Sequence, residues 1–164
     1  MDIIDSHAHL DARRFAADRE AVIDQARRAG LAGIVNVGTD LTSSRESVKL
    51  AEAHDLVHAT VGIHPHDADT ATAEALAELR SLACHPKVVA IGEIGLDYYR
   101  DLSPRTVQQS AFQDQLSLAA QLDYPVVIHS RDAHDDVLRI LKERRGKGVL
   151  HTYAAGPTRL DEVI

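Results

Sequence analysis

The sequence predicts an α/β fold built on a parallel sheet, and two regularities of the chain carry that prediction. Short apolar runs alternate with longer amphipathic stretches, and the runs begin roughly every 25–35 residues, as in a repeated β–α unit. Runs such as VVAIGEIG and PVVIH are almost continuously apolar, which is typical of parallel strands covered on both faces. Right-handed crossovers would arrange such units either as a doubly wound open sheet or as a (β/α)8 barrel.

Six apolar runs are the predicted strands, and stretches with helical periodicity lie between them. In order the strands are Ile3–Ser6, Gly33–Val37, Val57–Ile63, Val88–Ile94, Pro125–His129 and Gly148–His151. The five helices are Asp18–Ala29, Ser43–His54, Ala71–Ala83, Pro104–Leu122 and Ala133–Arg144. In the fourth helix the apolar residues that recur at helical spacing are Val107, Ala111, Leu118 and Leu122.

Boundary residues support three of these helices. Gly30 follows the first helix as a C′ glycine. Ser103 and Pro104 are expected to open the fourth helix as N-cap and first helical residue. Gly146 and Gly148 follow the fifth helix, and the closing segment GPTRLDEVI has the pattern of a sixth.

The composition is that of an ordinary globular domain. The 164 residues, 45% of them hydrophobic, predict one domain over residues 1–164. No apolar run reaches the length of a membrane span, the N-terminus lacks the features of a signal peptide, and Cys84 is the single cysteine. These features predict a cytoplasmic protein, and they indicate no obligate protein partner. The net charge of −7 argues against a broad basic surface for nucleic acid but allows a small site where metal ions supply positive charge.

Four predicted strands end in side chains that bind metals, namely His7 and His9, Glu93, His129, and His151. Alternate residues of a strand share a face, so the two histidines of HAH can reach one point, although a solvated pair is the alternative. A carboxylate inside a buried run is costly unless it is coordinated or forms a salt bridge with an Arg or Lys. Because parallel strands share one C-terminal face, all five side chains are expected to form one metal site.

The number of ligands predicts two divalent ions rather than one. Four imidazoles and one carboxylate exceed the three protein ligands of a typical catalytic zinc ion. The simplest division puts His7 and His9 on one ion and His129 and His151 on the other, with Glu93 between them as the catalytic carboxylate. Such ions, Mg, Mn or Zn, would polarise a phosphoryl oxygen and generate a hydroxide nucleophile.

Five segments of the chain closely resemble the TatD family of metal-dependent deoxyribonucleases, which are TIM barrels of the amidohydrolase type. The segments are DSHAHLD, VGIHPHD, IGEIGLDYYRD, PVVIHSRDAHDD and GVLHTY. The resemblance implies a (β/α)8 barrel, of which this chain holds about six of the eight βα units. It also implies cleavage of single-stranded DNA by metal-activated water, often as a 3′-5′ exonuclease, with all five predicted ligands kept. By the same resemblance His64 lies near the metals and contacts the substrate phosphate.

The chain departs from the family pattern in two places. LHTYAAG stands where the family usually has LHCFSG, so the surroundings of His151 differ. The family barrel continues through further strands whose TDxP motif carries a metal-binding Asp, and nothing in this chain matches it. We therefore expect a domain that lacks the last strands and that alone binds metal weakly and cleaves DNA poorly. The alternatives are an amidohydrolase or phosphotriesterase-like enzyme with a small substrate, and an inactive truncated fragment.

Side chains next to the predicted ligands allow further roles. Arg131 would pair with a substrate phosphate or with a nearby carboxylate. Tyr98 and Tyr99 would stack on a base or cover the barrel rim. Asp97 is expected to support a ligand histidine, and His66 is expected to be an exposed loop residue.

Overall fold

The structure is a computed structural model, and it describes residues 2–143, 146–154 and 156. The strands within these ranges are β1 (Ile3–Ala8), β2 (Leu31–Val37), β3 (Val57–Val61), β4 (Val88–Asp97), β5 (Val126–Arg131) and β6 (Gly148–Leu150). The α-helices are α1 (Arg19–Arg28), α2 (Leu41–Ala53), α3 (Ala73–Ala83), α4 (Arg105–Leu122) and α5 (His134–Lys142). Short 3-10 segments span Arg13–Phe15 and Pro65–Thr70.

The strands pair in chain order from β1 to β6, and every pair is parallel. A doubly wound sheet reverses its strand order at a switch point, whereas a barrel adds each strand beside the previous one. The observed order therefore confirms the predicted fold class, an α/β fold with six strands of a partial (β/α)8 barrel. The predicted sixth helix lies outside the described residues, and the extent of the domain beyond them stays a prediction.

Three strands end later than their apolar runs predicted, and the first of them, β1, ends at Ala8 rather than at Ser6. β4 ends at Asp97 rather than at Ile94, and β5 ends at Arg131 rather than at His129. Polar residues continue the strands because the backbone pairing goes on, with Asp97 opposite Arg131. This extension places Asp97 and Arg131 beside the predicted metal ligands.

The start of α4 differs from the prediction. The helix begins at Arg105, and Pro104 is the N-cap without a side-chain capping bond. Ser103 is buried, and its hydroxyl donates to the backbone oxygen of His66 at 3.0 Å. Ser103 therefore ties two loops together instead of capping the helix. The predicted C′ glycine is confirmed, since Gly30 has a φ of +86° after α1.

Burial falls from the middle of the sheet to its two edges. In β3, Val57 and Val61 are fully buried, whereas Ile3 and Ile4 of β1 are 61% and 58% exposed. The core lies between the sheet and its helices, where Phe112 of α4 is among the largest buried side chains. None of the described helices is long and apolar enough to cross a membrane.

Candidate metal centre

The C-terminal ends of the strands bring the predicted ligands together on one face of the sheet. His7 lies in β1, Glu93 in β4 and His129 in β5, while His9 and His151 directly follow β1 and β6. Two groups of described residues have ligand atoms close enough to share an ion. We name them the first cluster (His7, His9, Glu93) and the second cluster (His64, Glu93, His129).

The first cluster is built from two neighbouring histidines and one distant carboxylate. The Nε2 atoms of His7 and His9 are 3.2 Å apart, and His7 Nε2 is 3.4 Å from Glu93 Oε2. His9 Nδ1 lies 3.0 Å from the backbone oxygen of Val37, which requires Nδ1 to carry the proton. The lone pair of His9 is therefore on Nε2, facing His7 and available for a cation.

The loop after His9 is held by a buried amide. Asn36 of β2 is fully buried, its Oδ1 accepts from the backbone N–H of Leu10, and its Nδ2 donates to Asp11 and Ser47. Arg19 Nε also donates a hydrogen bond to the backbone oxygen of Leu10. These contacts fix the chain just beyond the HAH segment.

The second cluster surrounds the other oxygen of the same carboxylate. His129 Nδ1 lies 3.0 Å from Glu93 Oε1, and His64 Nε2 lies 3.9 Å from that oxygen. Gly95 allows β5 to pack closely against β4, because a Cβ at this position would clash with the backbone oxygen of His129. Glu93 is thus the one residue that belongs to both clusters among the described residues.

Glu93 is 4% exposed, as its apolar neighbours predicted. Burial by itself would raise the pKa of this carboxyl, but hydrogen bonds with His129 and His7 outweigh burial and hold the pKa well below its usual range. The partners are histidines and not the Arg or Lys of the salt-bridge alternative. Glu93 therefore stays ionised between two sets of imidazole nitrogens, which suits a carboxylate between cations.

Asp97 supports the second cluster from the end of β4. Its Oδ2 lies 3.0 Å from His129 Nε2 and 2.9 Å from His66 Nε2. Burial raises the pKa of Asp97, but the backbone N–H of Arg100 and the two histidines prevail and lower it to about 2. For His129, burial lowers the pKa, but Glu93 and Asp97 together raise it above its usual value. The prediction that Asp97 would contact a ligand histidine agrees with this geometry.

His66 differs from the prediction of an exposed loop residue. Its ring is only partly exposed and lies against Asp97 and the His64 ring, whose centroid is 4.2 Å away. The PHDADT segment folds into a 3-10 turn, so His66 points back toward β4. The sequence prediction rested on strand patterns, and these do not indicate a turn of this kind.

His64 is buried, and its protonation state is set by the same turn. The backbone N–H of His66 donates to His64 Nδ1 at 3.2 Å, so the neutral ring carries its proton on Nε2. Burial lowers the pKa of His64 to about 3. His64 is thus a neutral donor through Nε2, directed toward the space beside Glu93 Oε1.

His151 does not join His129 in the described structure. Its ring stacks on His7 with centroids 3.5 Å apart, and Thr152 Oγ1 lies 2.9 Å from His151 Nε2. Burial lowers the pKa of His151, and the neighbouring His7 adds to this effect. The predicted division, with His129 and His151 on one ion, is not the grouping that the structure shows, and the role of His151 as a ligand stays a prediction.

Two buried glutamines of α4 support the site and were missed from the sequence. Gln115 accepts from the backbone N–H of Ile63 at 2.7 Å and donates to the oxygen of Ile63 at 2.9 Å. Gln108 accepts from the backbone N–H of Asp97 at 2.9 Å and donates to its oxygen at 3.2 Å. The available signal was the presence of polar residues two turns apart on the apolar face of α4.

The two tyrosines after β4 behave differently. Tyr98 donates a hydrogen bond from its hydroxyl to Asp136 Oδ2 at 2.8 Å and accepts one from Gln109. These bonds hold its ring over the rim of the partial barrel. Tyr99 is 61% exposed, and the Arg131 guanidinium lies 3.8 Å from its ring centroid. Among the described residues no carboxylate forms an ion pair with Arg131.

The donor set fits divalent metal ions. Imidazole nitrogens with carboxylate oxygens suit Zn, Mn and related ions better than calcium. His9 donates Nδ1–H to a backbone oxygen and His129 is held by Asp97, which are the supporting bonds that metal-binding histidines commonly make. His7 Nδ1 is buried without a hydrogen-bond partner among the described residues.

The sequence is similar to a described protein family and to known proteins. The sequence matches the family described as TatD related DNase over residues 4–164. It is 41% identical over 154 residues to the uncharacterized metal-dependent hydrolase YabD of Bacillus subtilis, covering 92% of this chain and 60% of that protein. It is 42% identical over 166 residues to a 3′-5′ ssDNA/RNA exonuclease TatD of Musicola paradisiaca, covering 99% of this chain and 63% of that protein. The chain thus spans less than two thirds of the length of these relatives.

Solved structures show the same likeness. The TatD homolog YJJV of Escherichia coli superposes with a TM-score of 0.90 at 32% identity, over 98% of this chain and 63% of that one. A TatD family hydrolase of Entamoeba histolytica superposes with a TM-score of 0.89 at 26% identity, over 99% of this chain and 63% of that one. The described fold therefore corresponds to about three fifths of each solved chain.

Proposed function

This chain belongs to the TatD related DNase family, and on that premise we propose that the protein hydrolyses phosphodiester bonds in single-stranded DNA with divalent metal ions. The expected mode is 3′-5′ exonuclease action in the cytoplasm, and residues 1–164 are proposed to belong to one domain. A relative named as an ssDNA/RNA exonuclease supports the substrate class.

The observation that carries this proposal is the position of Glu93. The carboxylate is buried and ionised, with one oxygen facing the first cluster and the other facing the second. A carboxylate shared in this way is the arrangement by which two-metal phosphodiesterases hold ions about 3.5–4 Å apart. We therefore assign two ions, Mg, Mn or Zn, with His7, His9, Glu93, His129 and His151 as ligands.

The side chains of the protein prepare the site for an anionic substrate. When bound, the ions supply Lewis-acid polarisation of the phosphoryl group and a water molecule of lowered pKa. Glu93 and Asp97 are held ionised, so they balance the cations in a poorly solvated site. His64 is neutral with its proton on Nε2, so it can donate a hydrogen bond to a phosphate oxygen without competing for a cation. Arg131 at the end of β5 provides a positive charge for the nucleic acid.

The test is cleavage of end-labelled single-stranded DNA by the full-length protein. After treatment with EDTA, the protein is assayed with Mg, Mn or Zn added back, and products are resolved from substrates labelled at either end. Shortening from the 3′ end that depends on metal is expected. Hydrolysis of small esters or cyclic amides without any DNA cleavage would instead favour the amidohydrolase alternative.

A further inference from the structure

The pair formed by Tyr99 and Arg131 lies on the active face and is not used by the metal chemistry. Its ring and guanidinium are within stacking distance at 3.8 Å, and the Tyr99 ring is 61% exposed. Leu102, in the same loop, is 64% exposed. The structure thus presents an exposed aromatic ring in contact with a guanidinium group, next to an exposed apolar side chain in the same loop.

We propose that Tyr99 and Arg131 form a stacking platform for an unpaired base of single-stranded nucleic acid, next to the phosphate that is cleaved. This inference rests on the proposed function and adds a base-binding subsite to it. Bases of single-stranded nucleic acids stack on aromatic rings and on guanidinium planes without sequence preference.

The platform is rigidly connected to the candidate metal centre. Asp97 Oδ1 accepts from the backbone N–H groups of Tyr99 and Arg100 at 3.0 and 2.8 Å. The other oxygen of the same carboxylate contacts His129. The loop that carries Tyr99 is thus fixed by the residue that orients a metal-ligand histidine.

Strand geometry places Arg131 one pleat beyond the ligand on β5. His129 and Arg131 are two residues apart in the same strand, which corresponds to about 6.6 Å along the chain. The backbone N–H of Tyr98 donates to the oxygen of Arg131 at 2.9 Å, which fixes the register between the two halves of the platform. A strand of nucleic acid with one phosphate at the clusters therefore has a base within reach of Tyr99 and Arg131.

Neighbouring residues explain why the platform is formed by this pair and not by Tyr98. The Tyr98 hydroxyl is occupied by Asp136 and Gln109, and Arg105 lies over its ring at 4.3 Å. Arg131 also lines a cleft of about 670 Å³ together with Asp132 and Tyr153. Tyr99, unlike Tyr98, therefore offers an exposed aromatic ring to a base.

The experiment measures binding separately from cleavage. Fluorescence anisotropy of the EDTA-treated protein is recorded with a labelled oligothymidylate of about 10 nucleotides, an abasic oligonucleotide of equal length, and an oligouridylate. Tyr99→Ala is expected to weaken binding of the base-bearing DNA about 10-fold and to leave abasic binding within about twofold. Tyr99→Phe keeps the ring and is expected to bind normally.

The Arg131 variants separate stacking from charge. Arg131→Lys keeps the charge but loses the planar group, so it is expected to weaken only the base-bearing oligonucleotides. Arg131→Ala is expected to weaken binding of all the oligonucleotides. It should also reduce the slope of log K against the logarithm of the salt concentration by about 0.7. Arg28→Ala removes the same charge from the exposed end of α1 and serves as the matched control.

The outcomes decide the proposal without relying on catalysis. A loss confined to base-bearing oligonucleotides supports the platform, and comparison of thymidylate with uridylate then assigns it to DNA, to RNA or to both. Equal losses on base-bearing and abasic oligonucleotides, or no loss for Tyr99→Ala, would overturn it. If the wild-type protein binds by stacking but cleaves neither polymer in the presence of metal, the proposed function fails while the platform stands.

Discussion

The two clusters around Glu93 are built in different ways. In the first cluster two of three members are neighbours in the sequence, and they lie at a sheet edge where Ile3 and Ile4 are largely exposed. In the second cluster the members come from three segments of the chain, and hydrogen bonds join them to each other, to the buried Asp97 and to the backbone of His66. The first cluster therefore depends on local strand geometry, whereas the second depends on tertiary packing.

The largest effect is expected where the two clusters meet. Glu93→Gln removes the charge shared by both, so metal binding at both should fall and activity should drop by about 1000-fold or more. Calorimetric titration with Mn and the cleavage assay measure the two quantities. Glu78→Gln, a partly exposed residue of α3 paired with Arg45, is the control. Full activity of the Glu93 variant would refute a shared carboxylate.

The metal ion of each cluster can also be removed separately. His9→Asn should remove the ion of the first cluster, and His129→Asn that of the second, each lowering activity by about 100-fold. Elemental analysis after dialysis against Mn should show about one ion fewer per chain in each variant. His85→Asn, which removes an ion pair with Glu52 and a hydrogen bond from the backbone N–H of Lys87, should change neither value. Loss of all metal in both single variants would mean that the clusters are not separate sites.

Asp97 should affect only the second cluster. Asp97→Asn weakens the hold on His129, and removal of such a supporting contact typically lowers metal affinity about 10- to 100-fold. Competition of the Asp97 variant with a metal-sensitive dye should show one weakened site and one unchanged site. Asp114→Asn, exposed on α4, is the matched control. Uniform weakening of both sites would contradict the separate support of the clusters.

Gln115 tests the dependence of the second cluster on packing. Gln115→Leu leaves the buried N–H and C=O of Ile63 without partners, which should lower the free energy of unfolding by about 1–3 kcal/mol. It should also weaken binding of single-stranded DNA, since Ile63 precedes His64, the proposed phosphate donor. Urea unfolding and fluorescence anisotropy with labelled DNA measure these effects, with Gln113→Leu on the same helix as the control. A stable variant that binds DNA normally would show that α4 does not position His64.

A further effect is expected in the acid stability of the metal-free protein. His64 has a folded-state pKa of about 3, whereas a histidine in the unfolded chain has a pKa of about 6.5. Between these two pH values the unfolded chain therefore binds a proton at His64 that the folded protein does not bind. Stability should therefore fall as the pH drops from 6.5 toward 3, by up to about 1.4 kcal/mol per pH unit. The raised pKa of His129 acts in the opposite sense, because its contribution is complete below pH 6.5 and is lost as the pH rises through the folded-state value. Urea unfolding at several pH values should show a shallower acid slope for His64→Asn.

Much of the fold was predictable from the sequence because it follows from local periodicity. All six strands and five helices exist near their predicted positions. The misplaced start of α4 has a tertiary cause, since the hydroxyl of Ser103 is used by the His66 loop. The clustering of candidate ligands was predictable where a strand pattern ended in a histidine or a carboxylate, as at His7, His9, Glu93 and His129.

By itself the sequence determined which residues stand at strand ends and which carboxylate is buried, because side-chain alternation and apolar runs depend only on near neighbours. The tertiary structure decided which ligands meet, the tautomer of His64, the stacking of His151 on His7 and the pairing of Tyr99 with Arg131. These features join segments about 30 or more residues apart or depend on a turn. Their geometry is set by strand register and helix packing, which no local pattern encodes.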